Sequence, residues 1–385
     1  MNPHIDFIQD SLNIIHIPLH FYPEFVQPIL RVLLPHGESS SGELFQNLKE
    51  NRHNFLNISI TPTECSIICH TIWAETVFLP VINKLAAAVC DDKPLIYPEA
   101  YTAFSMSTTN MDAGQRVIDL TAPLAIAGIP IFFITTCYTD FFLVCSTDRS
   151  AVVSTLLECG FKFSDSEPSY VPPSYHTSCQ PIIPFNPLPT VVAELQSRTF
   201  ALLKERSITP IVDPDIKLVM CCGRELSLEH DRYEVVYRSI NPELSDPASE
   251  WISKNDSAIY VGIISALARL PRFFSVTLAL DDLPSLIIDK KLLRLFGESI
   301  AGNIETTLVP IFLDLSTLPV EITGIVCGVA SLLVQELCDI SDKAGEKECE
   351  LTELSYLSTA RAGSVMLSEE QSRTALGALM PMLER

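Results

Sequence analysis

This chain repeats itself, and the repetition restricts its fold more than any single motif does. Ile134, Thr135, Thr136, Cys137, Tyr138, Thr139 and Asp140 stand against Leu357, Ser358, Thr359, Ala360, Arg361, Ala362 and Gly363. An apolar strand follows each (Phe141 to Cys145, Ser364 to Leu367), then a polar turn and an amphipathic helix. The helices, Ser150 to Cys159 and Arg373 to Leu383, align without a gap at an offset of 223 residues (373 less 150). Upstream, Phe55 to Ile60 matches Phe273 to Leu278 at an offset of 218 (273 less 55), and Ser66 to Ile68 then matches Ser285 to Ile287. Matches at such close offsets imply a duplicated chain.

Both halves read as the same order of elements. Ala103 to Ser107 is a short strand, and Asp112 to Ala127 carries Val117, Leu120, Thr121 and Leu124 at the spacing of one helix face. Pro123 is expected to kink this helix and Gly128 to stop it. Ile131 to Thr136 and Thr139 to Cys145 make a hairpin, and Thr147 to Cys159 a second helix. Lys162 to Ser164 supplies the strand that completes a split βαβ sandwich. The second half gives a strand at Val309 to Leu313, a helix at Gly324 to Leu337, strands at Ser355 to Thr359 and Ser364 to Leu367, and a final helix. Its acidic insert, Asp339 to Glu353, reads as a solvated loop. Between the halves, residues 166–189 hold seven prolines and read as a linker. Asn241 to Asp256 is a polar excursion with no assigned element.

Composition narrows the function. A net charge of −21 repels phosphate backbones and anionic lipid headgroups, which excludes nucleic acid and membrane surfaces as partners. Leu120 to Phe133 is apolar, but Pro123, Gly128 and Pro130 interrupt it well short of the roughly 20 residues a spanning helix needs. The start, MNPHIDFIQD, lacks a basic segment followed by an apolar run, and the twelve irregularly spaced cysteines are expected to be free thiols in a reducing cytoplasm.

Chemistry-bearing motifs are scarce. No glycine-rich phosphate loop, GxSxG or HExxH occurs. Cys65, Cys69 and His70 have a metal-like spacing, yet Cys65, Ile67 and Cys69 share one face of an alternating strand and read as core. Glu229-His230-Asp231 reads as a polar turn with no nucleophile beside it, and Asp281-Asp282 as a hairpin turn. Cys221-Cys222-Gly223-Arg224 ends a strand begun at Leu218. No catalytic residue, cofactor or metal is expected.

The segments around Ala127 to Val144, Gly324 to Val326 and Tyr356 to Thr359, with Asp289 after its apolar strand, resemble the CASTOR family of cytosolic arginine sensors. The resemblance covers about two thirds of the chain and is weakest between 165 and 260. It implies an α+β fold of four tandem ACT-type modules (βαββαβ, ferredoxin-like) in two duplicated halves, at 12–90, 95–165, 190–300 and 305–385. It further implies an amino acid bound between modules two and four, homodimerisation through modules one and three, and regulation of a GATOR-class complex in the TOR growth pathway. The ligand-facing positions carried over are Pro130, Ile131, Glu321, Ile322, Gly324, Ile325, Val326, Thr359, Ala360 and Gly363. The partner-facing ones are Cys137, Tyr138, Thr139 and Asp140.

Several of these depart from the family pattern. Pro130 replaces a serine and has neither hydroxyl nor N–H. Gly363 stands where the family has the pocket aspartate, Ala360 where it has an aromatic, and Ile322 where it has the pocket glutamate. Glu321 would substitute only if the register slips by one. A guanidinium held away from water needs carboxylates, so these changes argue against arginine, and Arg361 beside the pocket favours a neutral or anionic ligand. Cys137 and Tyr138 replace the family's tyrosine and glutamine, which leaves the partner open. The expectation is a non-catalytic, ligand-responsive regulator; the alternative is a constitutive interaction scaffold that keeps the fold and has lost the pocket.

Overall fold

One run of elements, strand–helix–strand–strand–helix, recurs along the chain. The computed structural model describes residues 4–8, 10–34, 54–85, 92–107, 113–164, 189–224, 257–279, 282–344 and 354–383. After a leading strand β1 (His4–Phe7), the first run is β2 (Leu12–Pro18), α1 (Tyr22–Leu33), β3 (Phe55–Ile60), β4 (Glu64–His70) and α2. Helix α2 starts at Thr71–Trp73, passes a π-helical stretch Ala74–Phe78 and ends at Leu79–Leu85. A short strand β5 (Leu95–Ile96) follows. The second run is β6 (Tyr101–Ser107), α3 (Ala113–Ile126), β7 (Phe132–Thr135), β8 (Asp140–Cys145) and α4 (Arg149–Glu158), with β9 (Lys162–Phe163) after it.

Helix α5 (Pro189–Glu205) and strand β10 (Pro210–Val212) lead the other half. The third run is β11 (Leu218–Gly223), α6 (Ser257–Leu267), β12 (Phe274–Ala279), β13 (Ser285–Asp289) and a 3₁₀ helix Lys290–Leu295, with β14 (Ile300–Ala301) after it. The fourth is β15 (Leu308–Asp314), α7 (Ile325–Ala344), β16 (Ser355–Ser358), β17 (Ala362–Ser368) and α8 (Glu369–Leu383).

Local sequence accounts for these bounds. Helix α1 buries Tyr22, Phe25, Ile29, Val32 and Leu33, a stripe at three- and four-residue spacing. Helix α3 buries Val117, Leu120, Thr121 and Leu124 and contains Pro123. It ends in a Schellman motif: Gly128 at φ +74° lets its own N–H reach Ala125 O and the Ile129 N–H reach Leu124 O. In β8, Phe141 and Leu143 face one core while Phe142 and Val144 face another, the two-residue period of a strand buried on both sides.

The repeated segments meet each other. Strands β3 and β12 pair antiparallel with Ile58 opposite Val276, an offset of 218 (276 less 58). Strands β7 and β16 meet at Ile134 and Leu357, an offset of 223 (357 less 134). These are the offsets of the sequence repeat, so equivalent residues face one another across a local two-fold axis. At β7–β16 the ladder is one pair wide, and hydroxyls extend it reciprocally. The Phe133 N–H donates to Ser358 Oγ (2.9 Å) and the Tyr356 N–H to Thr135 Oγ1 (3.0 Å). At β3–β12 the inner face is polar: Asn57 Nδ2 donates to Thr277 Oγ1 (3.0 Å), and Ser59 Oγ lies 2.9 Å from Ser275 Oγ.

Single pairs, Leu12 with Tyr101 and Leu218 with Leu308, link the runs within each half, and twelve strands thereby close into a barrel-like circuit. An inner core (Leu12, Phe55, Phe141, Phe273, Leu357) is flanked by two outer ones beneath the helices.

Some expectations are corrected. Segment 189–212, placed with the third unit by sequence, packs elsewhere. Phe200, Leu203 and Ile208 share a core with Val326, Val329 and Leu379, and β10 pairs with β15. Likewise β1 edges β6, and β9 extends the same sheet through β1 rather than by pairing with β6 directly. The acidic insert is not all loop, because α7 continues to Ala344. The linker core at 165–188, Glu229 to Asp231, Asn241 to Asp256, Asp281 and residues 345–353 lie outside the described residues.

Candidate functional site

An open-mouthed cavity with room for water-sized spheres over about 90 Å³ lies where the second and fourth runs meet. Its walls come from α3 (Thr121, Ala125), the entry to β7 (Ile129, Ile131, Phe132), the β15–α7 loop (Leu315, Ser316, Leu318, Pro319, Val320, Ile322), and the β16–β17 turn. The start of α7 forms one side. Gly324 sits at φ +86°, and a Cβ there would lie 3.0 Å from Leu195 and 3.3 Å from Thr199 on α5. Glycine therefore permits both the turn into the helix and the close helix contact. A helix leaves its first amides without intrahelical acceptors, and Ile325, Val326 and Cys327 place that first turn against the cavity. The partial positive charge of the helix end adds to the field there.

Among the described residues Arg361 is the one formal charge on the cavity wall, with no aspartate or glutamate beside it in the lining. Its Nη1 pairs with Asp92 Oδ1 at 2.6 Å. Thr121 Oγ1 is buried without a hydrogen-bond partner among the described residues, and it too lines the cavity. The remaining surface is largely apolar, through Ile129, Ile131, Leu315, Leu318, Val320 and Ile322.

The wall is held by a buried acid. Glu64 is 1% exposed. Its Oε1 accepts from Thr359 Oγ1 (2.6 Å) and the Arg361 N–H (2.7 Å), and its Oε2 lies 2.6 Å from His16 Nδ1. His16 Nε2 reaches Asp92 Oδ1 at 3.3 Å. The Ala360 N–H donates to Ser66 Oγ, and Tyr97 Oη donates to Ala360 O. Strands β2 and β4 thereby clamp the β16–β17 turn. Sequence reading missed this network, although its signal was present: His16 is the lone ionisable group of β2, and Glu64 opens the largely apolar β4.

Among the ligand-facing residues named from sequence, Ile131, Ile322, Gly324, Ile325, Val326, Thr359 and Ala360 line the cavity. Pro130 precedes it without lining it. Glu321 instead borders an open groove against α5, with Arg198 and Glu205, so the carboxylate is not in the cavity. Gly363 lies under the Tyr356 ring, where a Cβ would come 2.6 Å from the phenol oxygen. Burial pushes that phenol above its ordinary pKa.

The partner-facing set divides. Tyr138 is 61% exposed, whereas Asp140 is 2% exposed and paired in the β8 ladder. Asp140 Oδ2 accepts from Arg116 Nε at 2.8 Å. Burial raises its carboxyl to about 6, against the lowering pull of Arg116. Asp140 therefore cannot serve as a surface contact. The Thr139 carbonyl closes the turn by accepting from the Thr136 N–H and hydroxyl, and Cys137 is half-buried. Cys65 and Cys69 are core thiols raised by burial, and His70 Nδ1 caps a helix by accepting from the Ile72 N–H. Among the described residues no group of three or more potential ligands is placed to hold a metal. No described helix is long and apolar enough to cross a membrane.

Repeated strand–helix–strand–strand–helix runs, with a cavity at a run-to-run junction, define an α+β fold of the kind used by ligand-binding modules. Residues 96–158, which are the second run, match the family model of the ACT domain. ACT domains are in general ligand-binding regulatory modules that take amino acids and often oligomerise. No curated protein matches the chain. Similar solved structures include a protein from Agobacterium tumefaciens (17% identity, 43% of this chain and 93% of that one, TM-score 0.27). Aspartate kinase from Synechocystis is another (10%, 100% and 56%, TM-score 0.31). The ligand-free regulatory subunit of aspartate kinase from Thermus thermophilus is a third (13%, 40% and 95%, TM-score 0.26).

Proposed function

We propose that this chain is a non-catalytic regulator whose state is set by one amino acid with a neutral, apolar side chain, bound in the cavity between the second and fourth runs. We read the four runs as four ACT-type modules. The observation that carries the reading is the charge pattern of the wall: helix-end amides and Arg361, with no carboxylate among the described residues that line it. Such a wall suits an α-carboxylate at the α7 end and an apolar side chain among Ile129, Ile131 and Leu318. It gives a guanidinium no partner, so arginine is not the ligand in this reading. The protein acts in the cytoplasm on a GATOR/TOR-type nutrient-signalling complex, as a homodimer through the first and third modules.

A thermal-shift screen of the full chain against the twenty amino acids tests this. A ligand at 100 times its Kd stabilises the native state by about 2.7 kcal/mol. A neutral apolar amino acid should raise Tm, and Gly324→Val should abolish the shift. A shift with arginine alone refutes the charge argument. No shift with any of them at millimolar levels favours the scaffold reading.

A further inference from the structure

The β16–β17 turn carries the cavity's charge on a side chain whose backbone is held at both ends. The Arg361 N–H donates to Glu64 Oε1 at 2.7 Å, and the Arg361 carbonyl accepts from the Leu315 N–H at 2.8 Å. On the preceding residue, the Ala360 N–H donates to Ser66 Oγ and the carbonyl accepts from Tyr97 Oη. Rotation of the side chain is therefore the motion left to Arg361. Its guanidinium is 27% exposed and lines the cavity, and Nη1 reaches Asp92 Oδ1 at 2.6 Å. One hydrogen bond joins this pair, where the guanidinium fork can give a carboxylate two. Asp92 does not itself line the cavity. It is 46% exposed, and the same Oδ1 lies 3.3 Å from His16 Nε2. Losing Arg361 would leave Asp92 with His16 and with water, so the exchange strands no buried charge. Half-exposed pairs of this kind are weak. Asp92 leads into β5, whose Leu95 pairs with His16 on β2, so the contact ties the fourth run to an edge of the first.

We propose that Asp92 is an internal competitor for the ligand's carboxylate. Arg361 pairs with Asp92 until a carboxylate in the cavity takes the guanidinium from it, and ligand binding thereby releases the tie to the β5 edge. This rests on the reading of the cavity as an amino-acid site and adds how that site is regulated. Arg361 touches the ligand; Asp92 acts through Arg361 and is a positioning residue. The exchange loses one ion pair and gains another. A bound carboxylate has two advantages over Asp92. It can accept both bonds of the fork, and it lies within the cavity that the first turn of α7 faces. The ammonium group of the same ligand cannot compete, because it carries the sign of Arg361.

Isothermal titration calorimetry of the full chain with L-valine, L-leucine, L-isoleucine, L-methionine and L-phenylalanine tests this in the parent, Asp92→Asn, Arg361→Gln and the double variant. Asp92→Asn should tighten binding by up to about fivefold, the ratio an exposed ion pair is worth. Arg361→Gln should weaken it, and Asp92→Asn should add nothing in the Arg361→Gln background. A gain that persists in that background would mean that Asp92 merely repels the ligand through space, and would overturn the proposal. Leucinol, which lacks the carboxylate, should gain nothing from Asp92→Asn. Hydrogen exchange in peptides covering Asp92 to Tyr97 should quicken when the amino acid is added to the parent, and should be fast in Asp92→Asn with or without it. If the parent binds one of the five and Asp92→Asn binds it equally well, the competitor is refuted while the amino-acid reading stands. If neither protein binds any of them, both fall.

Discussion

Removing the Glu64 carboxylate tests the clamp on the cavity wall. Glu64→Ala leaves the Arg361 N–H and His16 Nδ1 facing a void, whereas the Thr359 hydroxyl keeps Ala362 O as an alternative acceptor at 3.2 Å. Breaking a buried charged network by deleting one member costs about 3–5 kcal/mol. Because Thr359 retains a partner, the lower half of that range is expected. Glu64→Gln keeps one carbonyl oxygen for Thr359 and Arg361 and turns an amide toward His16. It loses only the charge assistance of those bonds, about 1–2 kcal/mol. Equilibrium urea unfolding followed by circular dichroism separates the variants through their midpoints. Adding Thr359→Val to each measures the coupling, which should be smaller than 1 kcal/mol by the same reasoning. An alanine variant within 1 kcal/mol of the parent would refute the claim that this acid holds the two halves together.

Two further perturbations follow from the same geometry. Asp140 has a folded-state carboxyl raised to about 6 by burial. Between its unfolded value near 4 and about 6 the native state binds the extra proton, so stability falls as pH rises through that window, by about 3 kcal/mol in all. Asp140→Asn should flatten that part of a pH–stability curve; an unchanged slope would remove Asp140 as its source. Gly363→Ala drives a methyl to 2.6 Å from the Tyr356 phenol oxygen and should cost about 1–3 kcal/mol. Tyr356→Phe should recover most of that loss, and a variant as stable as the parent would show that the ring moves freely.

Much of the fold was readable because the duplication wrote it twice. Strands at Phe55 to Ile60 and Asp140 to Cys145 and helix α3 fall where alternation, helix spacing and Gly128 put them. What periodicity cannot report is a neighbour. The pattern of α5 shows an apolar face, but only the fold shows that this face meets α7 across Gly324 and Gly328. Strand β1 is four residues long with largely unburied sides, too short and too mixed to announce itself as the edge of β6. The site divides in the same way. Residues near Gly324 and Thr359 could be carried over from a resemblance because they lie on matched segments. Glu64 reaches Arg361 across 297 positions, a separation no spacing rule addresses.

The two junctions between halves show how a duplicated scaffold acquires unlike chemistry. At each, the amide of the residue after the turn threonine donates to a strand serine at 3.0 Å: Ala360 to Ser66 and Cys137 to Ser285. The backbone problem is solved identically, which is why equivalent positions pair across the local axis. The side chains then diverge. One turn is surrounded by His16, Glu64, Asp92 and Arg361, a clamp of polar and charged groups. The other rests beside Cys222, whose Sγ lies 3.1 Å from Tyr138 Oη. A symmetric pair of turns would respond to one signal in the same way at both places. This pair cannot, because His16, Glu64, Asp92 and Arg361 stand at one turn and Cys222 and Tyr138 at the other. The asymmetry sets the cavity beside the charged turn, with β7 leading from its wall to the other turn.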